Sequence, residues 1–344
     1  MPNGNRVDGT LMDDGTVIES ESLSGGRTKI NTGFIIRRDV GCLIIKGKDR
    51  LDLLRRLTTN DVLTLTPGRG IPTVLTSPKG RIIDLLIIYC FDDHLLVFCS
   101  SGNQNAILQH LDKYTIIEDF HTKDITTAMT VVSMLGSSEP NAMKDALSEC
   151  FSDPRIRQLH PFDFISSENN EGMFLCKGAW VNGEGYNIII RSEYVERMKE
   201  TLASHSLMPF SQDEYELLRI ESGIPAFGKE LTEKYNPLEA GLMPAISFTK
   251  GCYLGQEIIA RLHSYHKVQR KLCRMEAAEA LAIQPPVSLY VKNSEVGVLT
   301  SCAYNADRRK TIALGYVGID VPNGTEMQLR EHNNGAKITV REIA

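Results

Sequence analysis

The run Lys250-Gly251-Cys252-Tyr253-Leu254-Gly255-Gln256-Glu257 holds the densest reactive chemistry in this sequence. A cysteine acts as a nucleophile in its thiolate form, which a nearby cation or the positive end of a helix favours. Lys250 lies just before Cys252, and the apolar positions Ile258, Ile259 and Leu262 set the spacing of a helix opening near Gly255. Gly251 and Gly255 bracket the Cys-Tyr pair and permit a tight turn that larger residues resist. Two readings stand on these residues alone. Cys252 is an activated thiol, or it fills space as buried free cysteines do.

Other side chains invite chemistry more weakly. Asp84 interrupts the apolar run Ile82-Ile83-Asp84-Leu85-Leu86, where an unpaired charge is costly, so it is a site carboxylate or a partner for Arg81. Tyr215, at helical spacing with Leu218, reads as a core contact. Arg261, Lys267, Arg270, Lys271 and Arg274 form the concentrated basic run, which reads as a solvated face or as an anion site. His263 and His266 beside it lack the further ligands of a metal site. Eight cysteines are scattered without a C-x-x-C pair, so neither a cluster site nor a disulfide framework is expected, and no metal is assigned. No Ser-His-Asp order, phosphate loop or dinucleotide fingerprint is present.

The positioning elements follow from periodicity and punctuation. Gly41 to Ile45 reads as a buried strand, and Asp49 opens a helix with Leu51, Leu54 and Leu57 at helical spacing. Strands follow near 71–76 and 81–90 around the turn Ser77-Pro78-Lys79-Gly80. A similar set of elements begins at Met129, which suggests helices packed on antiparallel sheets. Ser211 and Glu214 make a capping box for a helix that stops at Gly223 and Pro225. From about 269, short strands between Asn-Gly and Pro-Pro signals fit a small β-barrel. The expected domains are a loosely ordered lead-in at 1–32, an α+β region at 33–265 split near 125, and a barrel at 266–344.

The chain of 344 residues is long enough for more than one core, and its net charge of −5 argues against nucleic-acid binding. No apolar run reaches the about 18 residues that cross a bilayer, and the acidic N-terminal residues are unlike a signal or transit peptide. A cytoplasmic protein with reduced thiols is expected.

The string K-G-C-Y-x-G-Q-E at 250–257 resembles the signature of the YgfZ-type folate-binding proteins, relatives of the glycine-cleavage T-protein (GcvT superfamily). The blocks Leu57-Thr58-Thr59-Asn60-Asp61-Val62, Pro78-Lys79-Gly80-Arg81, Arg219-Ile220-Glu221-Ser222-Gly223-Ile224-Pro225 and Asn236-Pro237-Leu238-Glu239 are similar to blocks of the same superfamily. The resemblance implies an α+β fold, with two α+β modules around a central folate channel and a C-terminal β-barrel. It implies a monomeric accessory protein that binds tetrahydrofolate or a one-carbon derivative. Its partners are iron–sulfur client or assembly proteins, and through them iron–sulfur-dependent tRNA modification, with no direct nucleic acid and no membrane. Cys252 and Lys250 are the functional pair, with Gly251, Tyr253, Gly255, Gln256 and Glu257 completing the motif. Asp84, Glu184, Tyr215, Arg219 and Arg261 are the candidate folate contacts. The alternative is an aminomethyltransferase. T-proteins carry two adjacent acids where this chain has Ile83 and Asp84, and that departure counts against aminomethyl transfer.

Overall fold

A computed structural model describes residues 32–136, 141–167, 172–178, 185–329, 336–341 and 343. The expected lead-in, apart from Thr32, lies outside them, as does Glu184. Strand β1 (Gly33–Ile36) is followed by a crossing at Arg37 to Asp39 into β2 (Val40–Lys46). Next come α1 (Arg50–Leu57), β3 (Gly70–Thr76), β4 (Ile82–Cys90), β5 (His94–Ser100), α2 (Gln104–Tyr114) and β6 (His121–Asp124). Strands β2 to β6 pair antiparallel in the order β3-β4-β5-β2-β6. Side-chain alternation gives this sheet two apolar faces. Leu43, Ile45, Leu86 and Ile88 pack with Leu53, Leu54 and Leu57 of α1 and with Ile107 and Leu111 of α2. Cys42, Ile87, Tyr89, Leu96 and Phe98 meet the second sheet.

That second sheet holds β7 (Met129–Leu135), β8 (Phe164–Ser166), β9 (Phe174–Lys177), β10 (Tyr186–Arg191) and β11 (Met208–Pro209), in the order β11-β1-β7-β10-β9-β8. It takes β1 from ahead of the first sheet, antiparallel to β7 and parallel to β11. Helices α3 (Asn141–Cys150) and α4 (Val195–Ser204) cover its far side with Met143, Leu147, Met198 and Leu202. The layers therefore run helix, sheet, sheet, helix. Each sheet buries both faces, which explains the near-continuous apolar runs in β4 and β10.

Helix α5 (Gln212–Glu221) carries the expected capping box, with Ser211 accepting from the Glu214 N–H and Glu214 accepting from the Ser211 N–H. Helix α6 (Gln256–Ser264) leads to the barrel strands β12 (Arg270–Ala277), β13 (Val287–Val291), β14 (Ser294–Asn305), β15 (Lys310–Gly318), β16 (Glu326–Leu329) and β17 (Lys337–Arg341). They close in the order β12-β15-β14-β13-β16-β17, with β12 pairing β17. The two α+β modules and the six-stranded barrel are the architecture expected from the sequence. One irregularity matters for the site. The register of β14 slips between Leu299 and Ser301, so two consecutive hydroxyls, Thr300 and Ser301, both donate to the buried Glu230 carboxylate at 2.6 Å.

Candidate functional site

The motif at 250–257 forms a plug at the end of α1. A helix leaves its last carbonyls without intrahelical partners. Here Leu54 O accepts from the Thr58 N–H and hydroxyl, Arg56 O accepts from the Leu254 N–H at 2.8 Å, and Arg55 O accepts from Lys250 Nζ at 2.6 Å. The same ammonium donates to Thr58 O at 2.5 Å and Asn60 O at 2.8 Å. A cation at this point also meets the negative end of the α1 dipole. Lys250 is buried, and its Nζ lies 4.8 Å from the Tyr253 ring centroid. Burial pushes its pKa down to about 7, with Asp61 acting to raise it and Arg55 to lower it. The cage itself needs three N–H bonds, which the ammonium has and the neutral amine lacks.

In this geometry Lys250 serves the fold. All three of its donors are engaged by α1 and the turn after it, so none is left for a Cys252 thiolate. The helix expected near Gly255 is present, starting at Gln256, with Gly255 left-handed at φ 83°. A Cβ on Gly255 would come within 2.6 Å of Ser77 O and 2.8 Å of Gly80 Cα, so the β3–β4 turn and the motif require glycine to pack. Tyr253 is buried and its N–H donates to Gln256 Oε1 at 3.1 Å. Glu257 is exposed in the first turn of α6. Cys252 is the only exposed cysteine of the eight. Burial raises the pKa of Cys42, Cys90, Cys99, Cys150, Cys176 and Cys302, that of Cys150 to about 11.

A separate cavity of about 380 Å³ lies where α5 and the loop after it face the ends of β2 and β5. Tyr215 and Arg219 line it, as do Arg37, Asp39, Leu85, Ser100, Glu216, Lys229 and Phe227. Tyr215 is 5% exposed and stacks under the Arg37 guanidinium at 4.8 Å. Arg37 in turn holds Asp39 through two hydrogen bonds of 2.7 and 2.8 Å. Arg219 is a clamp with all five N–H bonds engaged: Glu216 twice, Ile224 O, Glu230 and the Ser301 hydroxyl. It ties α5 to the barrel and fixes the cavity wall. Its guanidinium has no donor left for a ligand.

Asp84 does not line the cavity. Its carboxylate is fully buried and accepts from Leu85 N, Ser100 N, the Ser100 hydroxyl and Asn103 Nδ2 at 2.7 to 3.2 Å. Burial raises its pKa, and the Ser100 and Asn103 bonds oppose that rise. Of its neighbours, Leu85 faces the cavity and Ile83 packs into the first module's core. Strand β4 thus presents no carboxylate there. Arg81, the partner considered for Asp84, instead lies 3.6 Å from Glu239. Arg261 is exposed on α6 and does not line the cavity, so the structure does not bring it together with Tyr215. Sequence reasoning missed Arg37, Asp39, Glu216, Lys229 and Glu230. The available signal was charge inside Arg37-Arg38-Asp39 and Lys229-Glu230, beside segments that read as apolar.

The residues suit a flat heterocycle with a polar edge. Tyr215, Leu85, Ile224 and Phe227 supply apolar walls, and Asp39, Glu216 and the Ser100 hydroxyl supply acceptors. The volume lies within the range of small-molecule sites, about 300–1,000 Å³. Among the described residues no group of three or more His, Cys, Asp or Glu could hold a metal, and no helix is long and apolar enough to cross a membrane.

Comparison with known proteins places this geometry. The GCVT N-terminal domain family matches residues 36–250. A chloroplastic protein of Arabidopsis thaliana that carries a transferase name is 28% identical over 313 residues, 90% of this chain and 71% of its own. An aminomethyltransferase of Symbiobacterium thermophilum is 25% identical over 308 residues, 87% of this chain and 82% of its own. The crystal structure of glycine cleavage system aminomethyltransferase T from Bartonella henselae shares the fold, with a TM-score of 0.79 over 92% of this chain and 86% of that one, at 18% identity. The family match spans well over half of the sequence, and this protein belongs to the GCVT N-terminal domain family.

Proposed function

We propose that the protein binds tetrahydrofolate, or a one-carbon derivative, in the cavity walled by Tyr215, and supports iron–sulfur proteins through Cys252. The observation that carries this reading is the separation of two prepared features. One is a cavity whose aromatic and carboxylate groups are held by Arg37 and Arg219. The other is a single exposed thiol on a turn that the Lys250 cage makes rigid. Tetrahydrofolate supplies nitrogen atoms able to carry a one-carbon unit. In the cavity Tyr215 and Leu85 flank its ring, and Asp39, Glu216 and Ser100 offer acceptors to its N–H groups. The Asp84 carboxylate acts through Ser100, whose proton it holds. The reading has the protein acting as a monomer in the cytoplasm, on iron–sulfur client or assembly proteins, without nucleic acid or membrane. Glu184 remains a candidate folate contact, and Arg261 a candidate for its anionic end.

Folate binding is tested by calorimetry with tetrahydrofolate under reducing conditions, where Tyr215→Ala should weaken affinity at least about tenfold, as loss of a stacked wall does. The role of Cys252 is tested by deleting the gene and restoring it with wild type or Cys252→Ser. Full recovery of iron–sulfur enzyme activities with the serine variant would sink that half of the proposal. The aminomethyltransferase reading is favoured by the names of relatives that align along most of the chain. A glycine-cleavage exchange assay decides it, since the accessory reading expects no turnover there.

A further inference from the structure

Helix α6 is thinly covered. Of its nine residues only Ile259 is buried, whereas α5 buries four of ten. A surface helix normally turns its apolar stripe inward. Ile258 instead is 42% exposed, and it shares a face with Arg261 and Tyr265 at positions i, i+3 and i+7. Tyr265, at the C-terminal cap, is 65% exposed. Cations stand at both ends of this strip. Lys79 precedes Gly80, which packs so closely under α6 that a Cβ there would lie 3.3 Å from Ile258 Cβ. Lys267 Nζ lies 5.6 Å from the Tyr265 ring centroid. Lys79, Arg261 and Lys267 are exposed, and none is ion-paired among the described residues. Glu257 is the one carboxylate on the helix, so on a chain of net charge −5 this face is cationic. On another side of α6, Phe248 stacks on His263 with ring centroids 4.1 Å apart, which folds the segment 248–255 back against the helix. Cys252, inside that segment, therefore stands beside α6.

Single exposed apolar residues are ordinary, whereas an apolar strip edged by unpaired cations beside an exposed thiol has the composition of a contact surface. We infer that this face of α6 docks the protein on which Cys252 acts, through a partner segment whose apolar side chains are flanked by carboxylates. The apolar centre covers Ile258 and Tyr265, and the acidic flanks pair with Lys79 and Lys267. Charge selects the acidic partner. Potentials across an interface are complementary, and a cationic face on an otherwise acidic chain steers the encounter to the side that carries the thiol. The strip from Ile258 to Tyr265 rises about 10 Å, or two helical turns, so one short partner segment spans it. This inference rests on the iron–sulfur reading above and adds where the partner is held and by what chemistry.

The test restores a gene-deleted strain with full-length variants and reads iron–sulfur enzyme activities at matched protein levels. Ile258→Asp puts a carboxylate into the apolar strip, at a first-turn position where the helix dipole favours it. Lys79→Glu/Lys267→Glu reverses the cations, and Lys79→Arg/Lys267→Arg keeps their charge. Arg261 stays unchanged, because the folate reading uses it. At native expression Ile258→Asp and the Glu pair should restore less than about one third of wild-type activity, as docking weakened about tenfold implies. About tenfold higher expression should restore most of it, since concentration offsets a weakened contact. The Arg pair should match wild type, and Cys252→Ser should fail at every level. Iodoacetamide should label Cys252 in each isolated surface variant within about twofold of the wild-type rate, which separates docking from thiol chemistry. Full activity of Ile258→Asp and the Glu pair at native expression, with Cys252→Ser inactive, overturns the docking face and leaves the iron–sulfur reading intact. A folded surface variant that higher expression does not restore overturns it as well. Full recovery with Cys252→Ser overturns the reading and the inference together. Sedimentation tests the other occupants: a wild-type dimer that Ile258→Asp dissociates assigns the face to a second copy. Binding to phosphatidylcholine–phosphatidylglycerol vesicles that the Glu pair abolishes assigns it to a membrane. Circular dichroism checks folding, and the Glu pair, at two exposed positions, decides the matter if Ile258→Asp does not fold.

Discussion

Replacing Lys250 by Met tests whether the motif lysine serves the fold or the thiol. The side chain keeps most of its apolar length and loses three hydrogen bonds to the carbonyls of Arg55, Thr58 and Asn60. A buried acceptor left without a partner costs about 1–3 kcal/mol. Three of them set an upper range near 9 kcal/mol by that figure, before relief of the desolvation of the ammonium is counted. That relief is several kcal/mol for an ion in a protein interior, and its influence here is visible in the downward push on the Lys250 pKa. The net loss expected is about 2–4 kcal/mol, or roughly 5–10 °C in the thermal midpoint for a domain of this size. Urea and thermal unfolding followed by circular dichroism at pH 6, where the lysine of the wild type is charged, read it directly. Lys250→Arg should not restore the loss, because a planar guanidinium cannot point three donors at converging carbonyls in the space of an ammonium. In the folded Lys250→Met protein, Cys252 should be alkylated no more slowly than in wild type. A variant within about 0.5 kcal/mol of wild type, with alkylation of Cys252 slowed several-fold, would refute the cage argument and restore the lysine as the activator of the thiol.

Three more outcomes can be checked with simple measurements. A brief iodoacetamide pulse followed by mass spectrometry should label Cys252 ahead of the other seven cysteines, which are buried or half-buried; labelling of Cys150 or Cys302 at the same rate would contradict that. Burial pushes the Glu216 carboxyl up, yet Arg219 and Lys229 together bring it from an ordinary 4.5 down to about 2. The stability this gives is therefore complete above pH 4.5 and is lost as pH falls toward 2, and Glu216→Gln should flatten the wild-type slope across that window. Gly255→Ala should destabilise by at least about 1 kcal/mol, because the left-handed φ is strained for alanine and its Cβ meets the Ser77 carbonyl; unchanged urea unfolding would show that the turn adapts freely.

The elements that follow local rules were legible. The capping box of Ser211 and Glu214, the stop at Gly223 and the turn at 77–80 each come from residues a few positions apart, and the structure contains them as read. The glycine at 255 was legible too, although its second reason, contact with Gly80 across the fold, was not. What could not be read were partners far apart in the chain. Lys250 sits two residues from Cys252 but bonds residues nearly two hundred positions earlier, at the end of α1. Proximity in sequence suggested electrostatic help for the thiol; the long flexible side chain instead reached the strongest unsatisfied acceptors nearby. Strand β1 escaped for the same reason, since its pairing with β7 spans about a hundred residues and leaves no trace in local periodicity.

Asp84 shows how partners supplied by the fold change a functional argument. A carboxylate in an apolar strand needs partners, and the sequence allowed two: a ligand or Arg81. The fold supplies a third, the N–H and hydroxyl of Ser100 with the amide of Asn103, all from the strand and helix that follow. The pairing of β4 with β3 slips between Leu75 and Thr76, so alternation counted along the sequence does not say which neighbour of Asp84 faces the cavity. It is Leu85. A general acid or base must reach the proton it transfers, and an apolar leucine at the cavity wall cannot. Of the carboxylates that line the cavity, Asp213 is exposed in the first turn of α5, whereas Asp39 and Glu216 are each bonded to an arginine, which favours their ionised form and suits them to orient a ligand. Proton transfer to the ring from Asp39 or Glu216 would require that residue to leave its arginine. The wall is therefore built to hold a bound ring in place, and the thiol that could react stands outside it on the α1 plug.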